Sequence, residues 1–451
     1  MIFFTSCRAN LAKSCALLSV LISSESFSFA ALEDIAKEPI NYNSAPVYDR
    51  VFRLIKKIEQ GDAKLEWDNQ RGWLPSILEH LNIHPSSQTL VFSKTSLQLR
   101  VITPQSPRAI YFNDDTYVGW TQFGNVIELS AVDPVQGAIF YTLPQNKMSK
   151  PKIDRDRGDC MSCHCTFKTK GVPGYLVRSV FTDGNGQPYF RFGTTTTDHT
   201  TPFSDRFGGW YVTGTHGRMR HRGNVIARDD YSNPIDPEQG ANKTRLDDVI
   251  RTSSYLANGS DIVALMVLEH QSQMHNYITK ASYEYRFAMH YQKVMNKALG
   301  RPPGHQIETS KNRIVSAGER LLKYLLFDDE CFLEDSVEGT SVFAEHFTSL
   351  GPRDSKGRSL RDFDLKRRMF RYPCSFLIYS KTFDQLPEPI LTYVERRLIE
   401  ILKDEDTGTD FVHLSKKDRI AILEILMETK QGFRAKVNRY GQAPYNHSQR
   451  R

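Results

Sequence analysis

The sequence predicts an α+β protein with a β-rich N-terminal half, a loop-rich middle and an α-helical C-terminal half. Three observations predict it. Short β-branched and aromatic runs crowd residues 89–143. A polar stretch with a cysteine cluster follows. From Leu246 onward apolar residues recur at helical spacing. The chain has 451 residues, 39% of them hydrophobic and 25% charged, with 26 Phe and 20 Tyr. That is ample for a packed core and excludes wholesale disorder. The long apolar run near an end lies at the start, which excludes a polytopic membrane protein.

Residues 1–30 read as a signal peptide. Arg8 and Lys13 supply the positive region, and Cys15–Ser23 is an apolar stretch too short to span a bilayer comfortably. Ser28 and Ala30 are small residues at −3 and −1 of a cut after Ala30. The alternative is an uncleaved anchor. Cys15 opens the apolar run, which does not suit a lipoprotein acceptor. The expectation is export to a periplasm, with no membrane span after cleavage. Removing residues 1–30 takes Arg8, Lys13 and Glu25, leaving 57 basic and 51 acidic residues, a net of +6. That mild charge, with export, argues against nucleic acid as a partner.

Residues 31–145 form the β-rich N-terminal region, entered through helices. Pro46–Gly61 reads as a helix with Pro near its start, Gly past its end and Val51, Leu54, Ile55 and Ile58 as its stripe. A short helix is expected at Leu74–Leu81. Then VFS, LQLRVI, AIYF, YVGWTQ, VIELSAV and AIFYTL read as strands of a mainly antiparallel sheet. Residues 146–245 are the attachment and loop-rich region. Within it, 176–193 reads as a hairpin turning at Asp183-Gly184-Asn185-Gly186. Residues 194–245 are rich in Gly, Thr, Asp and Arg, a length of loop that points to function or to packing over a site. Residues 246–435 are helical, with helices at Ile262–Tyr291, Arg313–Leu326, Ile390–Leu402 and Lys416–Thr429. Residues 436–451 end a basic, mobile tail that starts near Arg434.

Cys160-Met161-Ser162-Cys163-His164 is a C-x-x-C-H motif, the attachment signature of c-type haem. Two thiols three residues apart can form thioethers to the two vinyl groups on one haem edge. The adjacent imidazole then binds iron from the proximal side. A zinc knuckle would want a second Cys or His pair at short spacing, and Cys165 adds only one ligand. A redox dithiol would want a βαβ context, and the flanks are RDRGD and CTFKTKG. Cys160, Cys163 and His164 are therefore the expected cofactor residues, with His164 the proximal iron ligand. One haem is expected, because no second C-x-x-C-H exists.

The segment GDCMSCH, with Gly158 before it and Gly171-Val172-Pro173-Gly174 after it, resembles the haem-binding segment of c-type cytochromes. The resemblance implies that the Gly-Pro stretch holds the axial histidine through a backbone carbonyl. HLSKKDRIAILEILMETK is similar to the closing helix of that family. Together these pieces cover under a fifth of the chain. PSSQTLVFSKTS, YFNDDTYVGW and HTTPFSDRFGGWYVTGTHG resemble a group of large exported haem c proteins of unsettled function, which implies a family but no reaction. The chain is several times longer than a small electron carrier needs.

His216 and His221, in THGRMRHRGN, are the candidate distal ligands, with Met219 between them and glycines at 214, 217 and 223 to let backbone approach a flat ligand. On the long helix, His270 and Met274 share a face, whereas His270 and His275 lie about 140° apart. The stripe Met266–His270–Met274–Ile278 reads as core, or as a face toward haem. A separate non-haem metal site from His199, Glu269, His270 and His275 lacks suitable spacing. Cys331 and Cys374 could pair as a disulfide, with Cys165 free, or all three could be buried thiols. Lys147, Lys150, Lys152, Arg155, Arg157, Lys168 and Lys170 form a basic rim for an acidic redox partner, an ordinary solvated loop, or cations that offset haem propionates.

The expected function is one-electron transfer by an exported single-haem c-type cytochrome. The alternatives are a haem-dependent oxidoreductase, peroxidase- or oxygenase-like, with an open sixth site, and a haem-stapled binding or redox-sensing protein. No catalytic residue is assigned.

Overall fold

The computed structural model describes residues 34–96, 98–147, 151–156, 158–227, 235–406 and 408–440. The signal-peptide reading, Lys150, Arg157 and the last eleven residues of the tail lie outside them. The α+β reading holds: a sheet-rich N-terminal half is followed by a helical C-terminal half.

The first helix, α1, is Arg50–Gln60. It starts later than Pro46 because Asp49 caps it, accepting from the Phe52 N–H at 2.9 Å. Gly61, at φ 84°, ends it in the left-handed region. The short α2 is Leu74–His80.

Strands β1 (Thr89–Val91), β2 (Arg108–Phe112), β3 (Thr116–Trp120), β4 (Val126–Asp133), β5 (Gly137–Pro144) and β6 (Asp154–Arg155) follow. With β9 (Trp210–Tyr211) they make a seven-stranded sheet, ordered β6-β5-β4-β3-β2-β1-β9 and antiparallel throughout. The LQLRVI run is not a strand. Its chain turns instead, and Thr103 and Ser106 bond each other across Pro104. Pro104 and Pro107 have no N–H to give to a ladder.

Strand β7 (Val177–Val180) pairs with β8 (Thr194–Thr197). The expected Asp183–Gly186 turn is present. The hairpin reading at 176–193 is corrected in its second arm, because Phe190–Phe192 coils into a 3-10 turn and the ladder resumes at Thr194. Two-residue β10 (Gly214–Thr215) pairs with β11 (Glu338–Gly339).

The motif lies on a single turn, α3 (Met161–His164). The long helix α4 is Ile262–Ala298, seven residues longer than read. Ile262–Asn276 is buried on every side, so no polar stripe marks the helix's phase. Helices α5 (Glu308–Leu325), α6 (Phe343–Ser349), α7 (Lys381–Asp384), α8 (Glu388–Leu402), α9 (Lys416–Thr429) and α10 (Phe433–Tyr440) complete the chain. The mobile-tail reading is corrected through Tyr440. Phe433 and Val437, four apart, bury one face of α10 against α8 and α9. Helix α9 lies where expected, and it packs on α8 and α10. Among the described residues no helix is long and apolar enough to cross a membrane.

Opposed residues on neighbouring strands point to the same sheet face. One face carries Tyr111, Leu129 and Tyr141, and the Tyr141 hydroxyl donates to the Asp49 cap of α1. The other face carries Tyr117, Ser130 and Phe140. Gln271 of α4 donates to the Tyr117 hydroxyl at 2.8 Å, and the His164 ring lies 4.7 Å from the Phe140 ring. The motif and the long helix therefore share that face.

Candidate functional site

Asp156 starts the motif. Its carboxylate accepts from the N–H groups of Gly158 (3.3 Å) and Cys160 (3.0 Å). The turn then closes, with the His164 N–H on the Cys160 carbonyl. Residues i, i+3 and i+4 of a helical turn share a face. Cys160, Cys163 and His164 thus point one way, while Met161 and Cys165 point the other and are buried. Cys163 is exposed, and Cys160 and His164 are half-buried.

The chain returns to the histidine at once. Lys170 and Gly171 take left-handed conformations and reverse it. The Gly174 N–H donates to the His164 carbonyl at 2.9 Å, and the Gly174 carbonyl takes the Nδ1 proton at 2.8 Å. Burial lowers the His164 pKa, against the Gly174 carbonyl, which raises it. A neutral imidazole protonated at Nδ1 leaves the Nε2 lone pair for a metal. Among the described residues Nε2 has no hydrogen-bond partner.

Burial, and then Asp156, push the Cys160 thiol up to about 12. All five described cysteines are free, so Cys331 and Cys374 do not form a disulfide.

Next to Phe140 on the same sheet face lies the row Gly119, Glu128 and Thr142, about 7 Å further along the strands. Gly119 is a strand-interior glycine, and the guanidinium of Arg108 lies where its Cβ would be. Arg108 is ion-paired to Glu128. Arg108 Nε and Glu128 Oε1 are buried without partners among the described residues. The Arg108 cation lowers the His164 pKa and the Glu128 anion raises that of Cys160, so both lie beside the motif. The Arg108 guanidinium laid over Gly119, with Arg108 Nε and Glu128 Oε1 unsatisfied beside the motif, fits a partly charged group held by the three motif residues.

Two cations stand near Cys163. Burial and the neighbouring Arg178 both lower the Lys168 pKa, and burial lowers that of Arg178. Arg178 lies over the exposed ring of Phe190. The wider basic rim is not one surface. Arg155 turns inward to the carbonyls of Tyr42 and Ala45, Lys152 pairs with Asp154, and Lys170 lies over Tyr277.

His216 and His221 form their own cluster, with rings 4.6 Å apart beside Phe203. Both ring nitrogens of His216 are engaged, Nδ1 with the Met219 carbonyl and Nε2 with the Asn242 N–H. His221 Nδ1 accepts from the Gly223 N–H. Met219 is buried. Among the described residues, these two histidines share no hydrogen-bond or ring partner with His164.

The other polar candidates divide. His199 and His270 meet at their Nδ1 atoms, 2.8 Å apart, and His270 Nε2 bonds the Ser375 hydroxyl. Glu269 pairs with Arg206, fully buried. His275 lies elsewhere, on the Asp114 carbonyl. Among the described residues no group of three His, Cys, Asp or Glu is arranged to hold a metal ion. His270, Met266, Met274 and Ile278 are all core.

Sequence reasoning missed Asp156, Phe140, Arg108, Gly119, Glu128, Arg178 and Asn276. Only Gly119, a glycine inside a strand pattern, carried a readable signal. No protein-family model matches the chain, and no curated protein or solved structure matches it.

Proposed function

We propose that this chain is an exported c-type cytochrome that carries one covalently attached haem and transfers single electrons. The observation that carries the reading is the hold on His164. Its Nδ1–H donates to the Gly174 carbonyl and its Nε2 is left open, on the turn that presents two thiols on the same side. Cys160 and Cys163 would each add across a vinyl group, sulfur to one carbon and proton to the other, with no oxidant required. The group supplies a one-electron iron couple when bound. His164 would ligate the iron, and Gly174 fixes the imidazole's tautomer and orientation. Phe140 backs the His164 imidazole, and Arg108 would offset negative charge on the bound group. Lys168 and Arg178, beside the exposed Cys163, are the cations offered to an acidic redox partner. The reading does not rest on the closing helix, which packs among other helices.

A haem-dependent oxidoreductase is the second reading. Both His216 nitrogens are spent on backbone groups, and neither distal candidate shares a neighbour with His164. That favours a sixth position left to a small molecule.

The test is the visible spectrum of the full chain produced with haem-maturation machinery, oxidised and reduced, with and without carbon monoxide. A sharp low-spin reduced spectrum indifferent to carbon monoxide supports electron transfer. A shift with carbon monoxide supports the oxidoreductase. Covalent haem retained in a Cys160→Ala/Cys163→Ala double variant would falsify the attachment.

A further inference from the structure

We infer that Asn276 is a positioning residue for the axial histidine, acting by fixing the peptide that holds His164. The inference rests on the haem reading above and assigns the long helix a part in it.

Asn276 is fully buried on α4. Its Oδ1 accepts from the Tyr175 N–H at 2.9 Å, and its Nδ2 donates to the Tyr175 carbonyl at 2.7 Å. The second Nδ2 hydrogen goes to Gln273 Oε1 at 3.2 Å. One side-chain amide thus grips both polar groups of the residue after Gly174, as a neighbouring strand would. On the other side, the Ala138 N–H donates to the Pro173 carbonyl at 3.2 Å. The carbonyls of residues 173 and 175 are both committed elsewhere. The carbonyl between them is the one aimed at His164.

The fit at Gly174 is steric as well. A Cβ there would run into Asn276 Oδ1. Gly174 does not have a positive φ, so glycine is needed for room rather than for backbone freedom. The same helix face grips the rest of the return loop. Gln273 Nε2 donates to the Lys168 carbonyl at 3.4 Å, and the Lys170 ammonium lies 4.1 Å from the Tyr277 ring centre. Residues 273, 276 and 277 are spaced i, i+3 and i+4, which is what one helix face can offer.

A firm Nδ1–H···O bond makes an imidazole a stronger donor to the oxidised metal. Loosening the Gly174 carbonyl should raise the midpoint potential. The experiment compares the haem-loaded full chain with Asn276→Ala, Gly174→Ala and the double variant by spectroelectrochemical titration, with thermal unfolding as a check on folding. Asn276→Ala is expected to shift the ratio of reduced to oxidised iron about tenfold upward, about 59 mV for one electron. Gly174→Ala should shift the potential too, and Asn276→Ala added to it should add little further, because both changes loosen one clamp. Non-additivity of that kind is not expected from a merely structural residue.

If Asn276→Ala does not fold, Gly174→Ala alone carries the test, because it pushes on the clamp from the other side. Wild-type potential in the folded, haem-loaded variants would overturn the inference and leave the haem reading standing. A wild-type chain without covalent haem would overturn both.

Discussion

The Nδ1 atoms of His199 and His270 lie 2.8 Å apart in a fully buried pair, so one proton serves two imidazoles. Burial holds both pKa values well below the ordinary histidine range, and His275 is pushed down to about 4, again by burial. In the unfolded chain each takes up a proton near its ordinary pKa of 6.5. Stability should therefore be fully present above pH 6.5 and fall as the pH drops below it. For His275 alone the loss by pH 5 is about 2 kcal/mol. Urea unfolding at pH 8, 6.5 and 5 checks this. A midpoint that does not move between pH 8 and 5 would exclude it.

Gly119 and Arg108 share one space on the sheet face. A Gly119→Val side chain should displace the guanidinium and cost about 2 kcal/mol by overpacking. It should also lower the yield of covalent haem. Arg108→Ala should cost a similar amount by leaving Glu128 unpaired, about 2 kcal/mol. Denaturant midpoints and haem content per chain, measured on the same samples, decide both. Normal haem content in Gly119→Val would mean that the group sits elsewhere.

Asp261 caps α4 and ties it to the loop after β11. One carboxylate oxygen takes the N–H groups of Val263 and Ala264, and the other takes those of Thr340 and Ser341 with the Ser341 hydroxyl. Asp261→Ala strands these buried donors and should cost about 3 kcal/mol, beyond an ordinary cap. A loss under 1 kcal/mol in urea unfolding would show that the loop does not depend on it.

Thiol labelling separates the cysteines. In the native apo chain an alkylating reagent should modify Cys163, which is exposed, and spare Cys165 and Cys374, which are buried with thiols pushed up to about 12 by burial. Haem maturation should then protect Cys163. Peptide mass analysis reads both states. Labelling of Cys163 at full yield in the matured protein would contradict thioether attachment there.

The α+β order and the sheet were legible because each is written locally. Strands such as VIELSAV are dense in β-branched residues, whereas the single helical turn of the motif read as loop because its flanks are polar. What failed was non-local. Nothing in Thr194–Thr197 announces pairing with Val177–Val180 across an intervening turn and coil. The LQLRVI run looked like a strand until the prolines after it denied it a ladder. The end of α4 was misjudged because its last turns, 292–298, are mostly exposed and carry no apolar stripe to mark them as helix. Asn276 was invisible for a different reason: it acts on backbone groups, and its partner could be any residue type.

His270 and Asn276 are six positions apart on α4, and each meets a different part of the body. A helix keeps its register rigidly, and one inserted residue turns everything beyond it by about 100°. A single insertion between them would swing the Tyr175 clamp off its peptide while the His199–His270 pair stayed put. The length of that stretch cannot change without breaking one hold or the other. The six-residue interval is in effect a gauge that sets the angle between the molecule's buried interior and its candidate metal edge.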